Sequence, residues 1–252
     1  TKTLVAKFSD NGQILDHQKF PTPRDKAQYI QKVATTIEQI AKSQPIQAIS
    51  MALPGVIRNQ QALVCKNLDW YDFDVLGGLR QYFPDTPMLL ENDANLGGLG
   101  VSRLNSLESG RCLYITISTG VGGGFIVDGK IDSDLSESEF GDIVFEYDGQ
   151  MVTWEGIAGG DAIGSIYSPR IDESTDQQTI KEVGRRIARG LVAILPVLRP
   201  HTVAIGGGLG ARYHLFSDYT KQELIQLLPE QYICPVITAP NPEEIVAYGC
   251  YF

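Results

Sequence analysis

Two runs of glycine, each at the end of an apolar stretch, constrain this chain more than any other feature. The first is Ile115-Thr116-Ile117-Ser118-Thr119-Gly120-Val121-Gly122-Gly123-Gly124. The second is Val203-Ala204-Ile205-Gly206-Gly207-Gly208-Leu209-Gly210. A backbone without Cβ atoms can turn tightly and approach a ligand closely, and its consecutive N–H groups can form a concavity for anions. Glycine makes up 26 of 252 residues, about a tenth against a usual ~7%. Because the excess is clustered, it marks backbone sites rather than linkers.

The first run is no Walker A loop, since no G-K-[S/T] follows it. A phosphate cradle and a hairpin turn that merely needs glycine explain it equally well. In the second run Gly206, Gly208 and Ala211 satisfy G-x-G-x-x-A. A dinucleotide fold also needs a helix, a further strand and an acid roughly 20 residues on, and only 41 residues (252 − 211) follow Ala211. An NAD-dependent oxidoreductase thus rests on three residues. A nucleotide-facing loop and a tight strand–helix connection both stay open.

Along the whole chain strand and helix signals alternate, as in α/β proteins with mixed sheets. Leu4, Ala6 and Phe8 alternate with polar residues, Asp10-Asn11-Gly12 signals a turn, and Gln13–Phe20 returns as a second strand. Thr22-Pro23-Arg24-Asp25 reads as a helix start with Thr22 as cap. Ile30, Val33, Ala34, Ile37, Ile40 and Ala41 follow at helical spacing. Strands are predicted at 46–53, 88–90, 112–118, 125–127 and 201–205. A long helix is predicted over about 179–198, ended or kinked by Pro196.

Composition narrows the function. The net charge of 21 − 30 = −9 argues against non-specific nucleic-acid binding, which needs clustered Lys and Arg. No stretch reaches the roughly 18 apolar residues of a membrane span, and no signal-peptide pattern opens the chain. Cys65, Cys112, Cys234 and Cys250 form no C-x-x-C pair and read as reduced cysteines of a cytoplasmic protein.

Two polar constellations could carry chemistry. Glu91-Asn92-Asp93-Ala94-Asn95 follows a buried strand directly. A carboxylate there can serve as general base toward a hydroxyl, while Asn and Asp also suit a helix N-cap, which is the favoured reading of the stretch alone. Glu137, Glu139, Asp142 and Glu155, with Trp154 beside the last, form an acidic set that by default is a solvated face.

Taken together and in order, these stretches resemble the ROK family of sugar kinases and sugar-responsive regulators along the whole chain. Thr1-Lys2-Thr3 looks like the end of its D-x-G-G-T-K motif. Leu53-Pro54-Gly55-Val56-Ile57 is similar to P-G-x-V/I, Asn67-Leu68-Asp69-Trp70 to N-L-x-W, and Glu91–Asn95 matches E-N-D-A-N outright. Ser118–Gly124 resembles G-T-G-x-G-G-G, and Glu139-Phe140-Gly141-Asp142 stands where E-I-G-H is usual. Trp154–Gly160 resembles L-E-x-x-x-S-G, and Val203–Gly208 fits I-x-G-G-G.

The resemblance implies a two-lobed, actin-like ATPase (ribonuclease H-like) α/β fold with mixed sheets. Residues 1–94 would form a small lobe with the tail 242–252 packing back, and 95–241 a large lobe. It implies ATP-dependent phosphorylation of a hexose, with Mg²⁺, in the cleft between lobes. Asp93 would be the catalytic base, and Asn92, Glu139, Asp142 and Glu155 would bind the sugar. Lys2, Thr119, Gly120, Gly122, Gly123, Gly207 and Gly208 would bind ATP. A homodimer is a further expectation. A non-catalytic sugar-binding regulator is the main rival.

Three departures from the family pattern bear on this. The chain begins at Thr1, so D-x-G-G is absent, and the expectation is that upstream residues are missing and that the kinase is active only with them. Asp142 replaces the usual histidine. Only 13 positions (155 − 142) separate Asp142 from Glu155, and no cysteine cluster lies there, so no structural zinc is expected, because a partial ligand set binds zinc poorly.

Overall fold

The computed structural model describes residues 2–167 and 171–252. Thr1 of the expected T-K-T stub lies outside the described residues. Strands β1 (Lys2–Phe8) and β2 (Ile14–Pro21) form an antiparallel hairpin. Helix α1 (Lys26–Ala41) starts three residues later than the Thr22 cap predicts. Asp25 is the cap, its Oδ1 accepting the Gln28 N–H at 2.8 Å. Thr22 is engaged elsewhere, its Oγ1 lying 2.9 Å from Thr3 Oγ1 across the hairpin.

Strand β3 (Ile49–Leu53) is shorter than predicted because Gln47 and Ala48 stay exposed. It is followed by β4 (Val56–Arg58), β5 (Gln61–Cys65), β6 (Trp70–Phe73), α2 (Val75–Arg80) and β7 (Met88–Asn92). The β4–β5–β6 strands form an antiparallel sheet, whereas β3 pairs parallel with β7. Their core gathers α1 residues such as Val33 and Ala34 around Trp70, Leu76 and Leu90. Trp70 is a core residue: its ring packs 4.7 Å from Tyr29 and its Nε1 donates to the Arg24 carbonyl at 2.6 Å.

Helix α3 (Asp93–Leu104) continues from β7 without a loop. Then come β8 (Arg111–Ile117), β9 (Val121–Val127), β10 (Lys130–Ile131), β11 (Val144–Tyr147) and β12 (Gln150–Thr153). Helices α4 (Trp154–Ala158), α5 (Gly160–Ile166) and α6 (Gln177–Leu198) follow. Helix α6 ends within a turn of Pro196, which cannot donate to the helical ladder. The chain closes with β13 (Thr202–Gly206), α7 (Gly207–Gly210), α8 (Ser217–Leu227), β14 (Val236–Thr238) and α9 (Ile245–Tyr251).

A five-stranded mixed sheet, β10–β9–β8–β13–β14, organises this half, with β8, β13 and β14 parallel and β9 antiparallel to β8. Alternation along β8 sends Leu113, Ile115 and Ile117 into the core with α6, and Cys112 and Tyr114 into a smaller core with Val101 and Ile245. Both sheet faces are thereby covered. Helix α9 packs on α3 backbone to backbone: a Cβ on Gly249 would lie 1.8 Å from the Leu96 carbonyl oxygen. Tyr251 also reaches the β1–β2 hairpin, donating to the Asp10 carbonyl at 2.8 Å.

The strand predicted at 125–127 begins four residues earlier, inside the first glycine run. Gly122, Gly123 and Gly124 lie within β9, opposite Thr116, Ile115 and Tyr114. Only Ser118–Gly120 turns. A Cβ on Gly124 would lie 2.4 Å from the Ala94 carbonyl oxygen, so glycine there lets α3 press onto the sheet. Among the described residues no helix is long and apolar enough to cross a membrane.

Candidate active site

The junction of β7 and α3 places the first polar constellation. Asn92 is the N-cap: its Oδ1 accepts from Ala94 N at 2.8 Å and Asn95 N at 3.1 Å, and its Nδ2 donates to the Gly55 carbonyl at 2.8 Å. The capping alternative thus describes Asn92, whose amide keeps one hydrogen for a ligand. Glu91 braces the turn by accepting from Asn92 N and from Asn95 Nδ2, which also donates to the Ser136 carbonyl at 2.8 Å.

Asp93 is the first helical residue, and its side chain is free of the cap. It is half-buried, and desolvation pushes its carboxyl up to about 6, against the pull of the Ala94 and Asp93 N–H groups and with a further push from Glu139. A carboxylate poised near neutrality, with protein on most sides, suits a general base.

The acidic set assembles around the 3₁₀ turn Phe140–Asp142. Burial raises the Glu139 carboxyl, Asp142 and Glu155 raise it further, and Lys66 opposes them. Lys66 Nζ stands 3.6 Å from Asp142 Oδ2. No pattern in the sequence singled out this lysine; it sits on the turn that carries Asn67-Leu68, opposite an acid remote in sequence. Glu137 goes elsewhere, held by both nitrogens of the Arg58 fork, with Nε to Oε1 at 2.8 Å. Asp93, Glu139, Asp142 and Glu155, with Lys66, therefore form one electrostatically linked cluster.

The two glycine turns meet beside it. The Ser118–Gly120 turn closes with Ser118 N donating to the Gly120 carbonyl at 3.0 Å, and α5 clamps it through Gly160 N to the Ser118 carbonyl at 2.7 Å. Glu155 Oε2 accepts the Val121 N–H at 2.9 Å, so one carboxylate touches both the acidic cluster and the turn. Thr119 is exposed there. Gly207 has φ +81, and a Cβ on it would lie 2.5 Å from the Ile117 carbonyl oxygen and 2.7 Å from Thr116 Oγ1. A Cβ on Gly208 would meet nothing within 4 Å, leaving open space over the turn.

Gly122 and Gly123 lie on opposite faces of β9, a Cβ on the first meeting Thr116 and one on the second Phe140. Lys2 is exposed on β1, and its charge, after that of Lys19, helps hold the Glu243 carboxyl down. No hydrogen bond or ion pair among the described residues joins Lys2 to either glycine turn. Among the described residues no group of three or more His, Cys, Asp or Glu side chains could hold a metal ion. Backbone N–H groups at the two glycine turns fit the phosphates of a nucleotide.

The ROK family profile matches residues 1–244. A glucokinase of Streptomyces coelicolor is 23% identical over 261 residues, covering 86% of this chain and 82% of its own. A fructokinase of Pediococcus pentosaceus is 24% identical over 235 residues, covering 86% and 80%. Among solved structures, a ROK family glucokinase from Streptomyces griseus in complex with glucose and AMPPNP superposes with a TM-score of 0.83 at 20% identity, covering 99% of this chain and 95% of that one. A ROK family transcriptional regulator, a homologue of the E. coli MLC protein, also gives 0.83, at 15% identity, covering 99% and 74%. With its fold shared and nearly its whole length matched, the chain belongs to the ROK family.

Proposed function

We propose that the protein phosphorylates a hydroxyl of a hexose, with ATP supplying the phosphoryl group. The observation that carries this is the place of Asp93 at the head of α3, in one acidic cluster with Glu139, Asp142 and Glu155, the last of which holds the Ser118–Gly120 turn. Residues 1–94 with 242–252, and residues 95–241, would act as the two lobes around the sugar.

In this reading Glu139, Asp142 and Glu155 accept hydrogen bonds from sugar hydroxyls, and Asn92 donates its remaining amide hydrogen. Fixed acceptors of this kind discriminate strongly against sugars lacking the matching hydroxyl. Asp93 accepts the proton of the attacking hydroxyl as its oxygen bonds to the γ-phosphorus and the bond to the leaving ADP oxygen breaks. Phosphoryl transfer asks little else of the protein than positioning and charge stabilisation. Thr119, Gly120, Gly207 and Gly208 would hold the phosphates and border the nucleoside, with Gly122 and Gly123 in the strand that leaves the first turn. Mg²⁺ would arrive with the nucleotide. The sugars named for the relatives, glucose and fructose, define the first candidates.

A panel of hexoses with ATP and Mg²⁺, read by product mass, tests this. A phosphorylated hexose is expected. The second reading, a sugar-binding regulator without turnover, is favoured by one observation: the fold matches a transcriptional regulator as closely as a kinase. Hexose binding with no phosphorylated product from any sugar would establish that reading instead.

A further inference from the structure

Strands β11 and β12 form the connection between the two parts of the acidic cluster. Glu139 and Asp142 precede this hairpin and Glu155 follows it. Its register runs from Val144 opposite Thr153 to Tyr147 opposite Gln150, and Asp148 and Gly149 turn the tip with φ of 50° and 78°. An isolated two-stranded hairpin is marginally stable in water. Its shape, and so the spacing of the carboxylates at its base, depends on what it is tied to.

The base is tied by the Trp154 N–H, which donates to the Ile143 carbonyl at 2.9 Å. The tip is tied to α6 chiefly through Tyr147, with Asp148 as a second contact. Tyr147 is buried, and its ring faces the guanidinium groups of Arg185, Arg186 and Arg189 at 5.0, 5.5 and 5.8 Å. Its hydroxyl donates to Glu182 Oε1. Burial and the Glu182 carboxylate both raise the phenol, so the hydroxyl keeps its proton and remains a donor. Glu182 is held in turn by Arg186 Nε at 3.1 Å, and Arg185 reaches Asp148 at 3.3 Å. Cation–π contacts that are partly desolvated and a charge-assisted hydrogen bond thus converge on one ring.

We propose that Tyr147 is a positioning residue for sugar recognition: by pinning the β11–β12 hairpin to α6, it fixes Glu139 and Asp142 at a set separation from Glu155. The role in recognition rests on the sugar-binding reading above; the anchoring of the hairpin does not.

Calorimetry with glucose, fructose and mannose, and separately with AMPPNP, tests this alongside hydrogen exchange. Since a misplacement near 1 Å at a site costs up to about 10²-fold, Tyr147→Leu should weaken binding of the best hexose about tenfold and change AMPPNP affinity by less than about twofold. Tyr147→Phe, which keeps the ring over the guanidiniums, should restore hexose affinity to within about threefold of the parent. Arg185→Gln loosens the same tip from a partly exposed position, and should weaken hexose binding about threefold even if Tyr147→Leu does not fold. Hexose affinity unchanged in both Tyr147→Leu and Arg185→Gln, or hexose and AMPPNP affinity falling together, overturns the proposal. A parent protein that binds none of the sugars sinks the sugar reading, and exchange then decides the anchor. Faster exchange over 139–156 in the variants, with α3 and β8 unchanged, supports it; unchanged exchange over 139–156 rejects it.

Discussion

The Glu155 carboxylate closes the turn that Gly120 opens, its Oε2 accepting the Val121 N–H at 2.9 Å. A Cβ on Gly120 would lie 2.0 Å from that same oxygen. One acid is therefore shared between the acidic cluster and a glycine turn, and the two halves of the proposed site are mechanically joined.

Removing it should be felt on both sides. Glu155→Ala is expected to weaken both hexose and nucleotide binding by about 1.5–3 kcal/mol, the scale of a hydrogen bond to a charged group. Glu155→Gln retains an oxygen that can accept from Val121 and should spare the nucleotide. Titration of each ligand separately distinguishes the two variants; equal loss of nucleotide affinity in both would remove the shared role.

Asp93→Asn is expected to lower turnover about 10²–10⁴-fold, the range for a positioned acid–base group, with hexose affinity retained. With the carboxyl pushed up to about 6 from its ordinary 3.8, turnover of the parent should fall as pH drops through about 6, because the base must be ionised. Stability runs the other way. A raised folded pKa contributes stability fully below the unfolded value of 3.8, and that contribution is lost as pH rises through about 6. Asp93→Asn should therefore match the parent at pH 4 and exceed it at pH 7.5, by about 1–2 kcal/mol once partial exposure is allowed for. Urea unfolding at the two pH values checks the sign.

Gly207→Ala combines two penalties. The position holds φ +81, and the new Cβ would lie 2.5 Å from the Ile117 carbonyl oxygen, a backbone atom that cannot swing away. A loss of about 2–4 kcal/mol in stability is expected, with weaker nucleotide binding. Thermal melting with and without AMPPNP separates the two effects.

Gly249→Ala lies far in sequence from the glycine turns. Its Cβ would stand 1.8 Å from the Leu96 carbonyl oxygen, so α9 must move off α3. A cost of about 2–4 kcal/mol is expected by urea unfolding. Since α3 carries Asp93, turnover per folded molecule should also fall, whereas an effect on stability alone would show that α3 holds its place without α9.

Much of the site was legible beforehand because strand ends and glycine runs are local events. The exit of β7 into Glu91–Asn95, and of β13 into Gly206–Gly208, follow from apolar runs that stop at residues unable to continue them. The helix cap was misplaced because Thr22 and Asp25 are both good caps, and only the hairpin partner Thr3 decides between them. Lys66 carried no signal at all: a lysine next to Asn67 becomes a cation opposite Asp142 only when the chain is folded.

The sequence by itself determined the order of strands, helices and turns, and which residue types stood at each strand end. The tertiary structure decided what the glycines are for. Gly207 turns the chain at positive φ, Gly120 makes room for the Glu155 carboxylate, and Gly124 and Gly249 are bare because carbonyl oxygens of α3 lie where side chains would be. It also decided that carboxylates from separate segments share one cluster. Local preference acts over a few residues, but close approach and charge repulsion act through space, between parts of the chain that only packing brings together.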